Sequence, residues 1–279
     1  MRSNLLKKNS ITLVLYLCLG LAAVITIFPF IWMFFSTLKT EAEILKVPLQ
    51  LFPTQFLLDN YAYVWKSLGI FPRYMFNSAF VTLSVVVLNV FFDSLAAFSF
   101  AKLKFKGKNF LFAFFMAALL VPAQVMYIEL FRLMQAFHWT NTYMGLIIPG
   151  ATSAFGIFLV WQYMKSIPDD FLEAARIEGA SDFQVYWRVY LPLSVPALAS
   201  LAIFQFINTW NDFLWPLIVT DTTEMRTLTV GIALMQSNNV TSWSWLMTGA
   251  FISVVPVLIF YIFAQRYFIS GLTAGGIKG

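Results

Sequence analysis

The sequence predicts an all-α integral membrane protein, built as a bundle of six transmembrane helices. Apolar residues make up 60% of the 279 residues and charged residues only 11%, whereas soluble domains contain about 45–50% and about 25%. The mean hydropathy is +0.76. Six stretches reach the roughly 20 apolar residues that a membrane-spanning helix needs. They lack the alternating polarity of transmembrane β-strands, so the bilayer is crossed by helices.

The six spans follow from the spacing of the charged residues. Each lies in a stretch of at least 20 residues that holds no charge, apart from Asp93 in the second and Asp212 in the fifth: 10–38, 74–101, 109–128, 133–164, 189–220 and 227–265. The apolar part of the fourth begins near Tyr143 and that of the sixth near Leu246. We therefore expect a tail at 1–9, a six-span domain at 10–265 and a second tail at 266–279.

Lysine and arginine are distributed unequally between the two sides of these spans. One side holds both tails, the turn 102–108 and the segment 165–188, and carries 12 of them, whereas the opposite loops carry 6. Cytoplasmic loops carry the excess of Lys and Arg in membrane proteins. Both termini are therefore predicted to be cytoplasmic, in a multi-pass protein of the cell membrane. The basic composition reports this topology and not a nucleic-acid partner.

The scarcity of reactive side chains argues against an enzyme. Cys18 and His138 are the only cysteine and histidine, so a Cys/His metal cluster or a Cys-His nucleophile pair cannot be assembled. No phosphate-binding loop is present, because Gly107-Lys108 is followed by Asn109 and lacks the upstream glycine. We predict no catalytic residue, no metal site and no ATP site in this chain.

The segment of about 165–192, between the fourth and fifth spans, is predicted to form two short helices. The first helix is expected to start at Ser166, Pro168, Asp169 and Asp170 and to end at Gly179. The second helix is expected to start with a capping box of Ser181 and Gln184 and to end at Pro192.

This segment resembles the EAA loop of ABC importer permeases, which sits on the cytoplasmic ATPase subunit. The resemblance rests on Glu173-Ala174-Ala175, Gly179 and Leu191-Pro192. It extends over nearly the whole chain, with further matching segments at 93–107, 141–149, 210–217 and 265–279. Together they resemble the carbohydrate-uptake permeases of the maltose-transporter type, and the six-span subunit in particular.

Two departures from the family pattern are visible. Glu178 stands where the family usually has Asp, and residues 138–140 replace a common Gly-Leu stretch. The first lies outside the EAA triplet itself. The second lies on the predicted outer side, where it can alter contact with a binding protein.

The resemblance implies a permease subunit, not an enzyme, that forms half of the transmembrane pathway for a sugar or oligosaccharide. Segment 165–192 would then be a coupling-helix loop that links ATP hydrolysis by a separate ATPase to alternating access. ATP and Mg²⁺ would be bound by that ATPase, with no cofactor in this chain. The implied partners are a second permease in a heterodimer, an ATP-binding subunit dimer, an extracytoplasmic sugar-binding protein, the sugar and membrane lipid.

The resemblance assigns ATPase docking to Glu173, Ala174, Ala175 and Gly179. Small alanines permit close approach, Glu173 can form a charge-assisted bond with a basic partner residue, and Gly179 sets the turn. Spacing alone fits a solvated amphipathic loop equally well.

The two acids inside the spans receive different predictions. A carboxylate at the bilayer centre is costly, by about 2.5–3.5 kcal/mol, so it usually faces the bundle interior. Asp212, with Trp210 and Asn211, is predicted to line the translocation path, because amides and rings suit sugars. A structural polar network or a contact with the partner permease explains Asp212 equally well. Asp93 is expected to be buried in helix packing and to share a network with Asn89.

Two other classes of membrane protein fit less well. An ion-coupled secondary carrier or a channel should show an internal repeat and intramembrane charges that serve the ion, as carriers often do. The sequence shows no evident repeat and only two such acids. A membrane enzyme needs titratable groups that converge at one depth, and the sequence offers none.

Overall fold

The computed structural model describes residues 2–67, 69–235 and 242–276, with side chains at 12–66, 69–235 and 242–263. Met1 and residues 277–279 of the two predicted tails, and residues 236–241 of the sixth stretch, lie outside this range. All regular structure in the described residues is helical. The α-helices are α1 Arg2–Ser36, α2 Glu41–Ile44, α3 Asp59–Ala62, α4 Phe71–Lys102, α5 Lys108–Ala117, α6 Tyr127–Ala136, α7 Tyr143–Ile147, α8 Ala154–Ser166, α9 Asp170–Ile177, α10 Asp182–Val185, α11 Leu191–Leu193, α12 Val195–Trp210, α13 Leu214–Val219, α14 Leu228–Leu234 and α15 Trp243–Gly276.

Short turns of other helix types join several of these helices. They are π-helical at Tyr63–Ser67 and Tyr186–Tyr190, and 3₁₀-helical at Ala118–Leu120, Ala123–Met126, Ile148–Gly150 and Thr223–Met225.

Three helices are long and apolar enough to cross a membrane: Thr12–Ser36, Phe71–Lys102 and Trp243–Phe263. They coincide with the first, second and sixth predicted spans. Three further pairs of consecutive helices are long and apolar enough when the two helices of a pair are counted together, but each pair is bent. The bend is 96° between Lys108–Leu120 and Ala123–Ala136, and 41° between Tyr143–Gly150 and Ala154–Ser166. It is 78° between Asp182–Leu193 and Val195–Trp210. The described residues thus provide three to six spans.

The third predicted span is not one straight helix. The helix ends before Val121 and Pro122, which are both extended, with ψ of 118° and 128°. A proline removes a helical N–H donor and disfavours the helical conformation of the residue before it. Pro122 therefore explains why the chain turns by 96° within the stretch 109–128.

The chain divides into two compact units, of which the first comprises Met1–Gly69 and Leu234–Ile252. The rings of Phe34 in α1 and Phe251 in α15 lie 5.3 Å apart. The connection after α1 is held by Asn60, whose side-chain amide donates to the carbonyls of Thr37 and Lys39 at 2.8 and 3.1 Å.

The second unit comprises Ile70–Ala233 and Ser253–Gly279. Its main core is formed where α4, α8 and α12 pack together with the segment 172–190. The buried members are Ala97, Phe98, Val160, Met164, Leu172, Val185, Tyr186, Tyr190, Leu198 and Leu201. A second core joins α4 to α6, α7 and α13 through Val81, Val85, Met134, Leu146, Ile147, Trp215 and Val219.

Helix α4 is tied to the rest of the second unit near its N-terminal end. The side-chain amide of Asn77 donates to the carbonyls of Glu224 and Arg226 at 2.8 and 2.9 Å. Asn77 also accepts a hydrogen bond from the hydroxyl of Tyr143 at 2.8 Å. Asn77 is fully buried, so these bonds satisfy a polar group that water cannot reach.

Asp93, in the middle of α4, is fully buried and binds the start of α8. Its carboxylate accepts hydrogen bonds from the Thr152 hydroxyl at 2.6 Å and from the backbone N–H and hydroxyl of Ser153, both at 3.0 Å. Asn89 joins the network by donating to the carbonyl of Gly150. Helix starts leave backbone donors unpaired, and Asp93 supplies acceptors where the chain breaks between α7 and α8. The prediction that Asp93 and Asn89 are buried together in helix packing is confirmed.

Candidate functional site

The segment between α8 and α12 forms two short helices, as its sequence predicts, but two of its expected boundaries are wrong. Ser166 does not cap α9: it is the last residue of α8, and its hydroxyl donates to the carbonyl of Tyr163 at 2.7 Å. Asp169 takes the N-cap position instead. Pro192 does not end the helical run that begins at α10, because the run continues through the π-turn Tyr186–Tyr190 and α11 to Leu193 before the 78° bend. Proline fits there because it lies in the first turn of α11.

Gly179 terminates α9 in the left-handed conformation, with φ of +81°. Its N–H donates to the carbonyl of Arg176 at 3.0 Å, and the N–H of Ala180 donates to that of Ala175 at 3.0 Å. This is the pattern that glycine-ended helices use to satisfy their last carbonyls. Across the turn, Arg176 forms an ion pair of 2.8 Å with Asp182.

The second helix begins with the predicted capping box. The backbone N–H of Ser181 donates to Oε1 of Gln184 at 2.8 Å, and the N–H of Gln184 donates to the Ser181 hydroxyl at 3.4 Å. Both ends of the turn between α9 and α10 are therefore fixed by their own hydrogen bonds.

Lys102 anchors the start of α9 to the C-terminal end of α4. Its side chain is only 3% exposed, and its Nζ lies 2.6 Å from Oδ1 of Asp169 and 2.5 Å from the carbonyl oxygen of Ile167. The hydrogen bond from Lys102, together with its positive charge, lowers the pKa of the Asp169 carboxyl. A buried ammonium needs such partners, so this contact fixes where α9 begins.

Leu172 anchors the middle of α9, because it is buried in the main core with Val185 and Tyr190. The same helix exposes Glu173 and Ala174, with Ala175 partly exposed, and Gly179 is exposed after its end. One face of α9 thus packs on its own protein, while the predicted docking residues lie on or beside the accessible face.

Four large apolar side chains in α9, α10 and the following π-turn are also exposed, and the sequence reasoning missed them: Phe171, Ile177, Phe183 and Trp187. Ile177 is 87% exposed. A signal was available, since α9 carries three large apolar residues and a helix this short buries only one narrow stripe. Exposed apolar groups gathered near charged residues are typical of a protein interface.

The three residues predicted to line the translocation path differ in their burial and in their hydrogen-bond partners. Trp210 is buried; its indole N–H donates to the carbonyl of Ser253 at 3.0 Å, and its ring stacks on Phe206 at 5.7 Å. Asn211 is exposed and donates to the carbonyl of Ile207 at 2.9 Å. Asp212 is half-buried, and its carboxylate accepts a bond of 3.4 Å from the N–H of Trp215 in α13. The three therefore do not form one cluster.

The side chains in the described ranges include no group of three or more His, Cys, Asp or Glu arranged to hold a metal ion. The segment 165–193 offers an exposed surface on two helices whose ends are fixed by hydrogen bonds.

The family described as "binding-protein-dependent transport system inner membrane component" matches residues 94–273. The match covers more than half of the chain, including the segment 165–193 and residues 210–212. The chain belongs to this family. It is a transport permease subunit of a binding-protein-dependent system and is not an enzyme, as the sequence predicts. Permeases of this family pair with another permease and with an ATPase.

Two relatives match the chain along nearly its whole length. The arabinooligosaccharides transport system permease protein AraQ of Halalkalibacterium halodurans is 34% identical, over 98% of this chain and 99% of the relative. The trehalose/maltose transport system permease protein MalG of Thermococcus litoralis is 34% identical, over the full length of both.

A solved structure has the same fold. A chain of a bacterial ABC transporter involved in the import of the acidic polysaccharide alginate superimposes with a TM-score of 0.82 at 27% identity, over 92% of this chain and 95% of that chain. The predicted resemblance to sugar ABC importer permeases is confirmed, and the chain is an all-helical, multi-pass membrane protein.

Proposed function

We propose that this permease forms half of the transmembrane pathway of an ABC importer for a sugar or oligosaccharide. The names of its full-length relatives support a carbohydrate substrate. The observation that carries the proposal is the two-sided character of α9: Leu172 and the Lys102–Asp169 pair fix it to the membrane domain, while Glu173 and its apolar neighbours are exposed.

We infer six spans with both termini in the cytoplasm. Lys108–Leu120 with Ala123–Ala136, and Tyr143–Gly150 with Ala154–Ser166, then each count as one span, in addition to the three long helices. The fifth span begins with the helix after the 78° bend, Val195–Trp210. The Lys and Arg excess supports this orientation. In it, the turn 102–108 and the segment 165–193 face the cytoplasm together, where an ATPase can reach them.

Segment 165–193 would then be the coupling loop that docks on the ATP-binding subunit dimer. Inverting a two-state equilibrium from 1:99 to 99:1 needs about 5.5 kcal/mol of differential binding, which is more than one surface contact supplies. The exposed side chains Phe171, Ile177, Phe183 and Trp187 offer that additional area beside Glu173. ATP and Mg²⁺ would be bound by the partner ATPase, and this chain receives the resulting movement through α9.

The four docking residues would have different roles. Glu173 would pair with a basic residue of the ATPase, and Ala174 and Ala175 would allow its surface to approach closely. Gly179 would hold the angle between α9 and α10, since its φ of +81° is strained for any residue with a side chain.

Asn211 and Asp212 are the proposed contacts with the translocation path, with Trp210 positioning them. Asn211 is exposed immediately after α12, and Asp212 follows it. The buried Trp210 ring, bonded to Ser253, would hold the end of α12 in place.

The test is a charge reversal, Glu173→Lys, in the assembled importer with its ATPase and binding protein. A charge-assisted hydrogen bond contributes about 1.5–3 kcal/mol, so we expect co-purification of the ATPase subunit, and ATPase stimulation by the binding protein, to fall tenfold or more. Glu178→Lys is the matched control, because Glu178 is equally acidic and exposed but lies at the end of the same helix.

The amount of inserted permease is measured for both variants, so that a folding defect is recognised. Glu173→Lys with undiminished ATPase association and stimulation would contradict the docking assignment.

A further inference from the structure

The segment 45–58, between α2 and α3, exposes an unusual number of apolar side chains. Six of its residues are between 59% and 87% exposed: Leu45, Val47, Leu49, Phe52, Phe56 and Leu58. Lys46 is the single charged residue in this stretch. Six large apolar side chains exposed within 14 residues are typical of an interaction surface and not of a water-exposed loop.

The backbone of the segment is held in place, so the exposure is not the result of a loose loop. The N–H of Leu57 donates to the carbonyl of Leu38 at 3.0 Å. Glu43 accepts from the backbone N–H of Thr54 at 3.0 Å and also from its hydroxyl, and these bonds lower the pKa of the Glu43 carboxyl. The ammonium of Lys39, a buried residue, donates to the carbonyl of Gln50.

Contacts with α1 set the depth of the segment relative to the membrane. The ring of Phe52 packs edge-on against Phe35 with centroids 4.9 Å apart, and Phe35 lies inside the span Thr12–Ser36. The ammonium of Lys39 lies 4.2 Å from the ring of Trp32, one turn deeper. The segment therefore runs back beside the last turn of the span and reaches the level where the hydrocarbon meets the headgroups.

We propose that the segment 45–58 is an interfacial lipid anchor. Its apolar side chains enter the boundary between phospholipid headgroups and acyl chains, in the leaflet at the C-terminal end of α1, to a depth of about 5–10 Å as interfacial elements do. Lys46 lies at the phosphate level. The depth set by Phe35 favours lipid as the occupant over a water-soluble protein, which docks outside the headgroups.

The anchor would fix the position of helix α1 in the membrane. No residue in the most apolar 18-residue stretch of its span is buried within the chain. The described ring contact of α1 with another long helix lies near its C-terminal end, where Phe34 meets Phe251. Interfacial anchors set helix tilt where packing does not. The segment is hydrogen-bonded to Leu38 and Lys39, just after α1. The depth of the segment in the membrane therefore fixes the depth of the C-terminal end of α1.

The experiment uses the assembled importer in phospholipid nanodiscs. Cys18 is the only cysteine of this chain, so a Cys18→Ser permease that is labelled before it is assembled with its partners carries a single spin label at Val47→Cys or Phe56→Cys. Collision of the label with oxygen, which partitions into lipid, is compared with collision with water-soluble nickel ethylenediaminediacetate. Thr223→Cys is the control, since Thr223 is exposed between acidic residues in another loop.

We expect labels at 47 and 56 to collide preferentially with oxygen and the label at 223 with the nickel reagent. Labels at 47 and 56 as accessible to nickel as the control would overturn the proposal. So would labels shielded from both reagents, which indicates a neighbouring permease, or shielding that appears only with the binding protein. The result does not depend on ATPase docking, so the two proposals fail independently.

Discussion

At the scale of single residues, the second unit depends on a carboxylate inside the membrane. Asp93 accepts three hydrogen bonds from the start of α8, and the close approach of α4 to α8 that this requires leaves no space for a side chain at Gly156. A Cβ there would overlap Oδ2 of Asp93 and lie 2.8 Å from the Leu201 side chain. The glycine is therefore needed for its size, and not for its backbone conformation.

Gly156→Ala should destabilise the permease by about 1–3 kcal/mol, the usual cost of overpacking. Thermal unfolding in detergent, with the yield of folded protein, measures this. Gly20→Ala is the control, because nothing lies within 4 Å of a Cβ at that position. It should leave stability unchanged or raise it by about 0.5–1 kcal/mol, since alanine favours helices over glycine. Equal unfolding temperatures for the two variants would contradict the packing described for α4 and α8.

At the scale of elements, the short helix α9 gains its position from α4. Lys102 pairs with Asp169 just before α9, and the pKa of the Asp169 carboxyl is lowered by that hydrogen bond. A carboxyl whose pKa is lower in the folded state stabilises the fold above its unfolded pKa of about 3.9, and the stabilisation is lost as the pH falls through the folded value.

Asp169→Asn should accordingly expose the amides of α9 to faster hydrogen exchange near neutral pH, because Lys102 loses its charged partner. The difference from the wild type should stay constant down to the ordinary carboxyl range and disappear only below it, as Asp169 itself becomes protonated. Asp170→Asn, one residue further on and without a described ion pair, serves as the comparison. A difference that already vanishes near neutral pH would assign it to another group.

The elements also show how far sequence reasoning reached. The first, second and sixth spans are single helices where the sequence predicts them, because length and lack of charge decide such spans. The Asp93 network was predictable in type but not in its partners, since Thr152 and Ser153 lie about 60 residues away in the chain. Ser166 was misassigned because a serine serves as well at the end of α8 as at the start of α9. The bend after Leu193 had a local signal that was not used: Pro196, in the first turn of α12, lacks the N–H that a continuous helix would need.

The candidate site was predictable in part. The EAA residues and Gly179 were found from their motif, and the turn and capping box followed from local chemistry. The four exposed apolar residues beside them were missed, because the sequence does not show which face of α9 packs on the protein. The structure shows that this is the face of Leu172. Trp210, Asn211 and Asp212 are adjacent in sequence, but consecutive residues at a helix end point in different directions.

At the scale of the whole molecule, the chain has the helical membrane fold of a transporter permease. The described residues contain no candidate metal site. We expect the purified chain alone to hydrolyse no ATP, as measured by phosphate release, because its sequence contains no phosphate-binding loop. Adding the ATP-binding subunits should produce hydrolysis that increases with the binding protein and its sugar. ATP hydrolysis by the permease alone, after contaminating ATPases are excluded by their inhibitors, would contradict this expectation.

Helix α4 has a mechanical consequence, because it is fastened at both ends. Asn77 bonds it to the carbonyls of Glu224 and Arg226, and Lys102 bonds it to Asp169 and Ile167. These two points are separated by about 38 Å of uninterrupted helix, at 1.5 Å per residue. An uninterrupted α-helix resists axial compression, so in the proposed coupling mechanism a push on α9 would be carried along α4 to the loop that contains Glu224. The proposed importer would then have one continuous helix, α4, that links closure on the ATPase side to opening on the other side of the membrane.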